Sequence, residues 1–196
     1  MTALAVIEGP DGVGKSTTCY AVARALADHN ARWWFHRTPP PSRPRDPWSM
    51  ALHYAAERAA LAAAIRDGSE ESAIVLCDRW THTASVFADV RDSDAERALA
   101  EAETTALPQP ALVVVLDASD ATLSARRPDA SPDEVRARSL YRDPERLARW
   151  GASVVNVEGR GAVEIAREVA GMAAHALTLA RWHADNERVL RERGGR

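Results

Sequence analysis

Lysine is almost missing from this chain of 196 residues. Of its 25 basic side chains, 24 are arginine and only Lys15 is lysine. Cysteine is scarce as well. Cys19 and Cys77 are too few for a disulfide framework or a cysteine-based zinc site, and they fit a reducing compartment. No apolar run approaches the roughly 20 residues that cross a bilayer, and no basic segment precedes an apolar one at the start, so neither a span nor a secretory signal is expected. Excess positive charge is also lacking. With 28 acidic residues the formal net charge is −3, which excludes the basic footprint that drives nucleic-acid binding through phosphate contacts. What remains is the expectation of a soluble, cytoplasmic, globular protein with no nucleic-acid or membrane partner. Its length suits one domain over 1–196, long enough to bury roughly 70% of the surface its unfolded chain exposes.

Where arginine has replaced lysine nearly everywhere, the surviving lysine stands where a compact ammonium does what a planar fork cannot. The organisation of the chain says where that is. Five short apolar runs read as strands: Ala3–Glu8, Arg32–His36, Ala73–Cys77, Ala111–Leu116 and Ala152–Val157. They are rich in β-branched or aromatic residues, as strands covered on both faces are. Between them, helical spacing runs over Lys15–His29, Pro47–Asp67, Asp94–Ala106, Asp120–Arg126 and Pro132–Trp150, with a last stretch from about Val163 to Arg191. Strand–helix alternation predicts an α/β fold, a five-stranded parallel sheet flanked by helices. The proline-rich segment Thr38–Pro47 is expected to be an irregular or extended loop.

Gly9–Ser16 reads G-P-D-G-V-G-K-S, directly after the first strand and opening a helix. This is the phosphate-loop pattern in the context it requires: successive backbone N–H groups face one anion, and the helix N-terminus adds its positive end. Lys15 would bridge the β- and γ-phosphates and Ser16 would hold magnesium. Asp78, ending the third strand, is the candidate second metal carboxylate, although a strand-terminal aspartate is also a common cap. A GTPase would need an Asn-Lys-x-Asp motif to read its base, and the chain has no second lysine to make one. A small nucleotide or metabolite kinase fits the length.

Taken together, these segments resemble the thymidylate kinases, within the nucleoside monophosphate kinases, from roughly Ala3 to Ala170. The quoted loop, extended to Ile7–Thr17, looks like that family's phosphate loop, including the internal Asp11. His53–Ala60 (HYAAERAA) resembles the helix that carries an aromatic and, four positions on, an arginine. Leu76–Trp80 (LCDRW) resembles the D-R-Y signature, with Trp80 in place of tyrosine. Leu123–Arg127 (LSARR) and Arg136–Arg142 (RARSLYR) resemble the two sides of a short lid, about 126–142, followed by a C-terminal helical tail at about 163–196.

The resemblance implies ATP as donor, Mg2+ as cofactor and a homodimer. It implies donor contacts along Gly9, Pro10, Asp11, Gly12, Val13, Gly14, Lys15, Ser16 and Thr17. Arg79 and Arg37 would hold the acceptor phosphate, Asp11 the sugar 3′-hydroxyl, Tyr54 the pyrimidine face and Arg58 a base carbonyl. Phe87 would crowd the 2′ position. With Gly12 and Val13 uncharged, the transition-state arginine would come from the lid, at Arg126. The sequence departs from the family at Ala84, often asparagine or glutamine, and at Arg37-Thr38-Pro39-Pro40-Pro41, usually R-E-P-G-G. The expected reaction is phosphoryl transfer to a pyrimidine deoxynucleoside monophosphate, dTMP first. The alternatives are a nucleoside or other small-molecule kinase, including one for a modified pyrimidine nucleotide, and a non-catalytic nucleotide-binding protein.

Overall fold

The computed structural model describes residues 3–27, 32–34, 46–67 and 74–194; at 32–34, 184 and 187–194 only the backbone is described. The strands are β1 (Ala3–Glu8), β2 (Arg32–Trp34), β3 (Ile74–Asp78), β4 (Leu112–Asp117) and β5 (Ser153–Asn156). All pair in parallel in the order β2-β3-β1-β4-β5. The expected five-stranded parallel sheet is therefore present.

Each central strand is apolar because it is covered twice. In β1, Ala3, Ala5 and Ile7 pack with α1 (Lys15–Ala25) and α8 (Ala162–Gly194), while Leu4 and Val6 pack with Leu61, Ala62 and Trp80 on the other side. Alternate side chains of a strand point to opposite faces, so an unbroken apolar run means two cores. The remaining helices are α2 (Pro47–Asp67), α3 (Thr81–Val90), α4 (Asp94–Ala106), α5 (Asp120–Arg126), α6 (Pro132–Leu140) and α7 (Pro144–Trp150).

Three expectations need correction. α1 stops at Ala25, short of His29. The helix expected over Pro132–Trp150 is two helices. Pro144 restricts the backbone of Asp143, which caps α7 by accepting from the Arg146 N–H at 2.7 Å. Helix α3 was not anticipated at all. Its sequence (THTASVFADV) is rich in threonine, serine and valine, which are weak helix formers, and tertiary packing of Val86 and Ala88 holds it. The segment Phe35–Arg45, with Arg37 and most of the proline-rich loop, lies outside the described residues.

Candidate functional site

β1 and β3 are neighbours in register, with Ile7 opposite Asp78. Because the two chains leave the sheet side by side, the phosphate loop and the turn after Asp78 share the carboxyl edge, where ligands of open α/β sheets bind. Gly9 has φ +133°, and any side chain there would run into the carbonyl oxygen of Leu116. α1 begins after Gly14, and its first turn receives no side-chain cap. Helices α4 to α7 are capped by Ser93, Ser119, Ser131 and Asp143. Uncapped first-turn N–H groups behind a glycine loop suit an anion.

Lys15 is buried, and its ammonium donates to the carbonyls of Gly9 (3.0 Å) and Pro10 (2.8 Å), with Asp11 Oδ1 3.6 Å away. Burial first, then the Arg79 charge, pull its pKa down to about 8 against the opposing pull of Asp11, Asp78 and Glu8. Ser16 Oγ donates to Asp78 Oδ2 at 2.5 Å. These two hard oxygen donors fit a divalent cation that takes few protein ligands and completes its shell from water and phosphate, as Mg2+ does.

Arg79 sits at φ +78°, a left-handed conformation unusual for a side-chain-bearing residue and concentrated at functional sites. Its backbone N–H donates to Ile7 O at 3.0 Å, which locks the turn onto β1. One end of its guanidinium donates to Asp11, and the other to Thr83 Oγ1 and Tyr141 OH, both at 3.0 Å. Burial raises the Asp11 pKa, but Arg79 and Lys15 outweigh it and hold the carboxyl far below its usual range. Asp11 is thus an ionised bridge between the two cations.

The lid approaches from the far end of the loop. Arg126 Nη1 lies 3.4 Å from Val13 O and 3.5 Å from Gly12 O. Arg127 crosses Gly12 and pairs with Asp129 (3.1 Å) and Glu134 (3.3 Å). Val13 itself is core, so its contribution to a donor site is its backbone.

Asp11, Lys15, Ser16, Asp78 and Arg79 therefore form one contact cluster, with Arg126 over the loop. The expected base-reading residues are less simply placed. Tyr54 is half-buried on α2. One turn on, Arg58 is buried and donates from Nε and Nη2 to the two oxygens of Glu103 at 2.7 Å each, so two of its five N–H donors are committed to that pair. Phe87 is half-buried against the Val86–Tyr141 cluster, with the Arg91 guanidinium 5.1 Å from its ring centre.

Glu8, Thr83 and Tyr141 belong to the site, yet sequence reasoning gave them no role. The only sequence signal was a carboxylate closing an otherwise apolar strand. Arg138 and Arg142, which fall in the segment that resembles the far side of the lid, are structural: Arg138 is buried and donates to Ser124 Oγ at 2.9 Å, and Arg142 clamps Asp117 and Asp120.

No protein-family model matches this chain, and no curated protein does. Solved structures do. The thymidylate kinase of Candida albicans is 14% identical, with a TM-score of 0.73 over 89% of this chain and 92% of that one. The thymidylate kinase of Ehrlichia chaffeensis is 17% identical, with a TM-score of 0.64 over 87% of this chain and 98% of that one. The chain has the thymidylate kinase fold. At this identity the likeness carries the architecture, and the chemistry rests on the cluster around Asp11 and Arg79.

Proposed function

We propose that this chain is an ATP- and magnesium-dependent nucleoside monophosphate kinase, with dTMP as its first acceptor. The observation that carries the reading is the meeting of two phosphate-binding devices at one residue, Asp11, which pairs with Lys15 of the loop and with Arg79 of the turn after β3. A phosphate on the loop side and a phosphate on the Arg79 side would be neighbours, as in-line transfer requires.

In this reading an oxygen of the acceptor monophosphate attacks the γ-phosphorus, the bond to the β,γ-bridging oxygen breaks, and ADP leaves with the electron pair. The acceptor oxygen is already an anion, so no general base is needed. The carboxylates here fit that demand, since Asp11 and Asp78 are both engaged in holding donors. Lys15 and the loop N–H groups would stabilise charge on the transferring group, Arg79 would align the acceptor, and Arg126 is the lid cation nearest the loop. Ser16 and Asp78 would hold Mg2+, which when bound neutralises charge on the donor's phosphate oxygens. The stripe Leu52, Ala56, Ala59 and Ala60, exposed along α2, is the face we assign to a second copy in a homodimer.

Ala84, half-buried beside Thr83, offers no amide to read a pyrimidine edge, which favours as a second reading an acceptor bearing a modified base. Incubation with magnesium-ATP and a panel of nucleosides, nucleoside monophosphates and 5-substituted pyrimidine monophosphates, read by chromatography, decides between them. Transfer to dTMP above all others is expected. Transfer only to unphosphorylated nucleosides, or to none of the panel, overturns the reading.

A further inference from the structure

We propose that Glu8 and Tyr141 are positioning residues that set the direction of the Arg79 guanidinium and tie it to the helix following the lid. The proposal rests on the reading that Arg79 meets the acceptor phosphate. Glu8 ends β1 with no exposed surface, and its carboxylate has four neighbours. Trp80 N–H donates to Oε1 at 2.7 Å, Thr83 Oγ1 donates to Oε2 at 2.6 Å, Tyr141 OH lies 3.4 Å from Oε2, and His82 Nδ1 lies 3.8 Å from Oε1.

Counting hydrogens gives the network a direction. A carboxylate only accepts, and each hydroxyl has a single hydrogen. Thr83 spends its hydrogen on Glu8. The 2.9 Å contact between Thr83 Oγ1 and Tyr141 OH is then a donation from tyrosine to threonine. With the Thr83 hydrogen on Glu8 and the Tyr141 hydrogen on Thr83, one lone pair of Thr83 Oγ1 and those of Tyr141 OH are left for Arg79 Nη1, which donates to each at 3.0 Å. The buried negative charge thus orients two neutral groups so that they receive one face of the guanidinium. Its other nitrogen goes to Asp11. Through Trp80 N–H the same carboxylate also braces the left-handed backbone at Arg79.

Tyr141 caps the C-terminus of α6. That helix opens immediately beyond the lid connection with the capping box of Ser131 and Glu134, and Glu134 also holds Arg127. One short helix therefore joins Arg127 of the lid to the Arg79 hydroxyl pair. A displacement of α6 is felt at the acceptor side as well as over the loop.

The decisive variant is Tyr141→Phe, which keeps the buried ring and removes the hydroxyl. The expected result is a three- to tenfold loss of acceptor kcat/KM with the KM for ATP unchanged. In an Arg79→Ala background the same substitution should cost nothing further, because the group it positions is gone. Equal losses in the two backgrounds would mark a merely structural tyrosine and overturn the proposal. Glu8→Gln should cost more than Tyr141→Phe, since an amide must aim a donor at Trp80 N–H or Thr83. A spectrum of the Arg79 side-chain nitrogens reads the geometry without turnover. Separate Nη1 and Nη2 signals in the wild type should merge in Tyr141→Phe, and signals already merged in the wild type would refute the network. If Arg79→Ala leaves acceptor kinetics untouched, the functional reading fails and takes the proposal with it. If Arg79→Ala is impaired and Tyr141→Phe is silent, the proposal alone falls.

Discussion

Arg58 and Glu103 close on each other between α2 and α4 as a two-pronged ion pair, with 4% and 7% of their side chains exposed. Removing one partner of such a pair leaves the other charged, buried and unmatched, which costs roughly 3–5 kcal/mol, whereas replacing both by apolar residues is often close to neutral. Arg58→Ala is therefore expected to lower the melting temperature sharply, and Arg58→Met with Glu103→Leu should recover most of it. Any effect of Arg58→Ala on acceptor choice has to be read against that loss. The double variant makes the separation: a stable Arg58→Met/Glu103→Leu protein that still prefers dTMP to dCMP would show that Arg58 is not the base reader.

Lys15 presents the opposite balance. Its buried ammonium is held by two carbonyls and one carboxylate, and burial draws its pKa down to about 8, so the folded state gives something up to keep this charge. Lys15→Ala should leave the melting temperature unchanged or raise it, while lowering kcat/KM for ATP by about a hundredfold or more. Lys15→Arg should be nearly as poor, because a guanidinium is too broad for the space between the Gly9 and Pro10 carbonyls. Near-wild-type turnover in the arginine variant would show that the chain's single lysine is incidental.

Gly12 connects the loop to the lid sterically. It stands at φ +84°, and a Cβ there would come within 2.7 Å of Arg127 Cγ and 3.6 Å of Arg126 Cβ. Gly12→Ala should cost about 1 kcal/mol of stability through backbone strain alone. It should also push Arg127 off the loop, since only that contact is closer than van der Waals distance, lowering kcat more than it raises the KM of either substrate. Unchanged kcat in a folded Gly12→Ala protein would mean that the observed position of Arg127 against the loop does not matter to transfer.

How much of this was legible in the residues follows from how local each signal is. The phosphate loop is eight consecutive residues, and the Asp78-Arg79 pair ends a strand whose apolar run is visible by itself, so both could be read directly. The Glu8–Tyr141 contact joins residues 133 apart, and Arg58 finds Glu103 45 positions away. Neither partner carries a mark that names the other. The break between α6 and α7 was written in Asp143-Pro144 and was outvoted by helical spacing on both sides. Arg138 illustrates the reverse difficulty: among 24 arginines, nothing in its neighbours distinguishes a buried strut from a solvated charge.

The last expectation concerns acid. His82 stands on α3 with its ring edge-on to Trp150 at 5.0 Å, and the Arg146 guanidinium lies 5.6 Å over the other ring of that pair. Its Nδ1 is buried with no hydrogen-bond partner, and the facing charge is Glu8 at 3.8 Å. Burial lowers the folded-state pKa below 6.5, and the attraction of Glu8 only partly offsets it. In the unfolded chain this histidine takes a proton near its ordinary pKa, whereas in the folded protein it resists doing so. Between the two values the unfolded state binds more protons, so stability falls as pH drops below 6.5 and is fully present above it. The wild type should therefore lose melting temperature between about pH 7.5 and about pH 5.5, and His82→Gln should lose less over the same interval. Melting curves on both proteins at matched ionic strength make the comparison. Parallel pH profiles would show that His82 is not the group whose protonation opposes the fold.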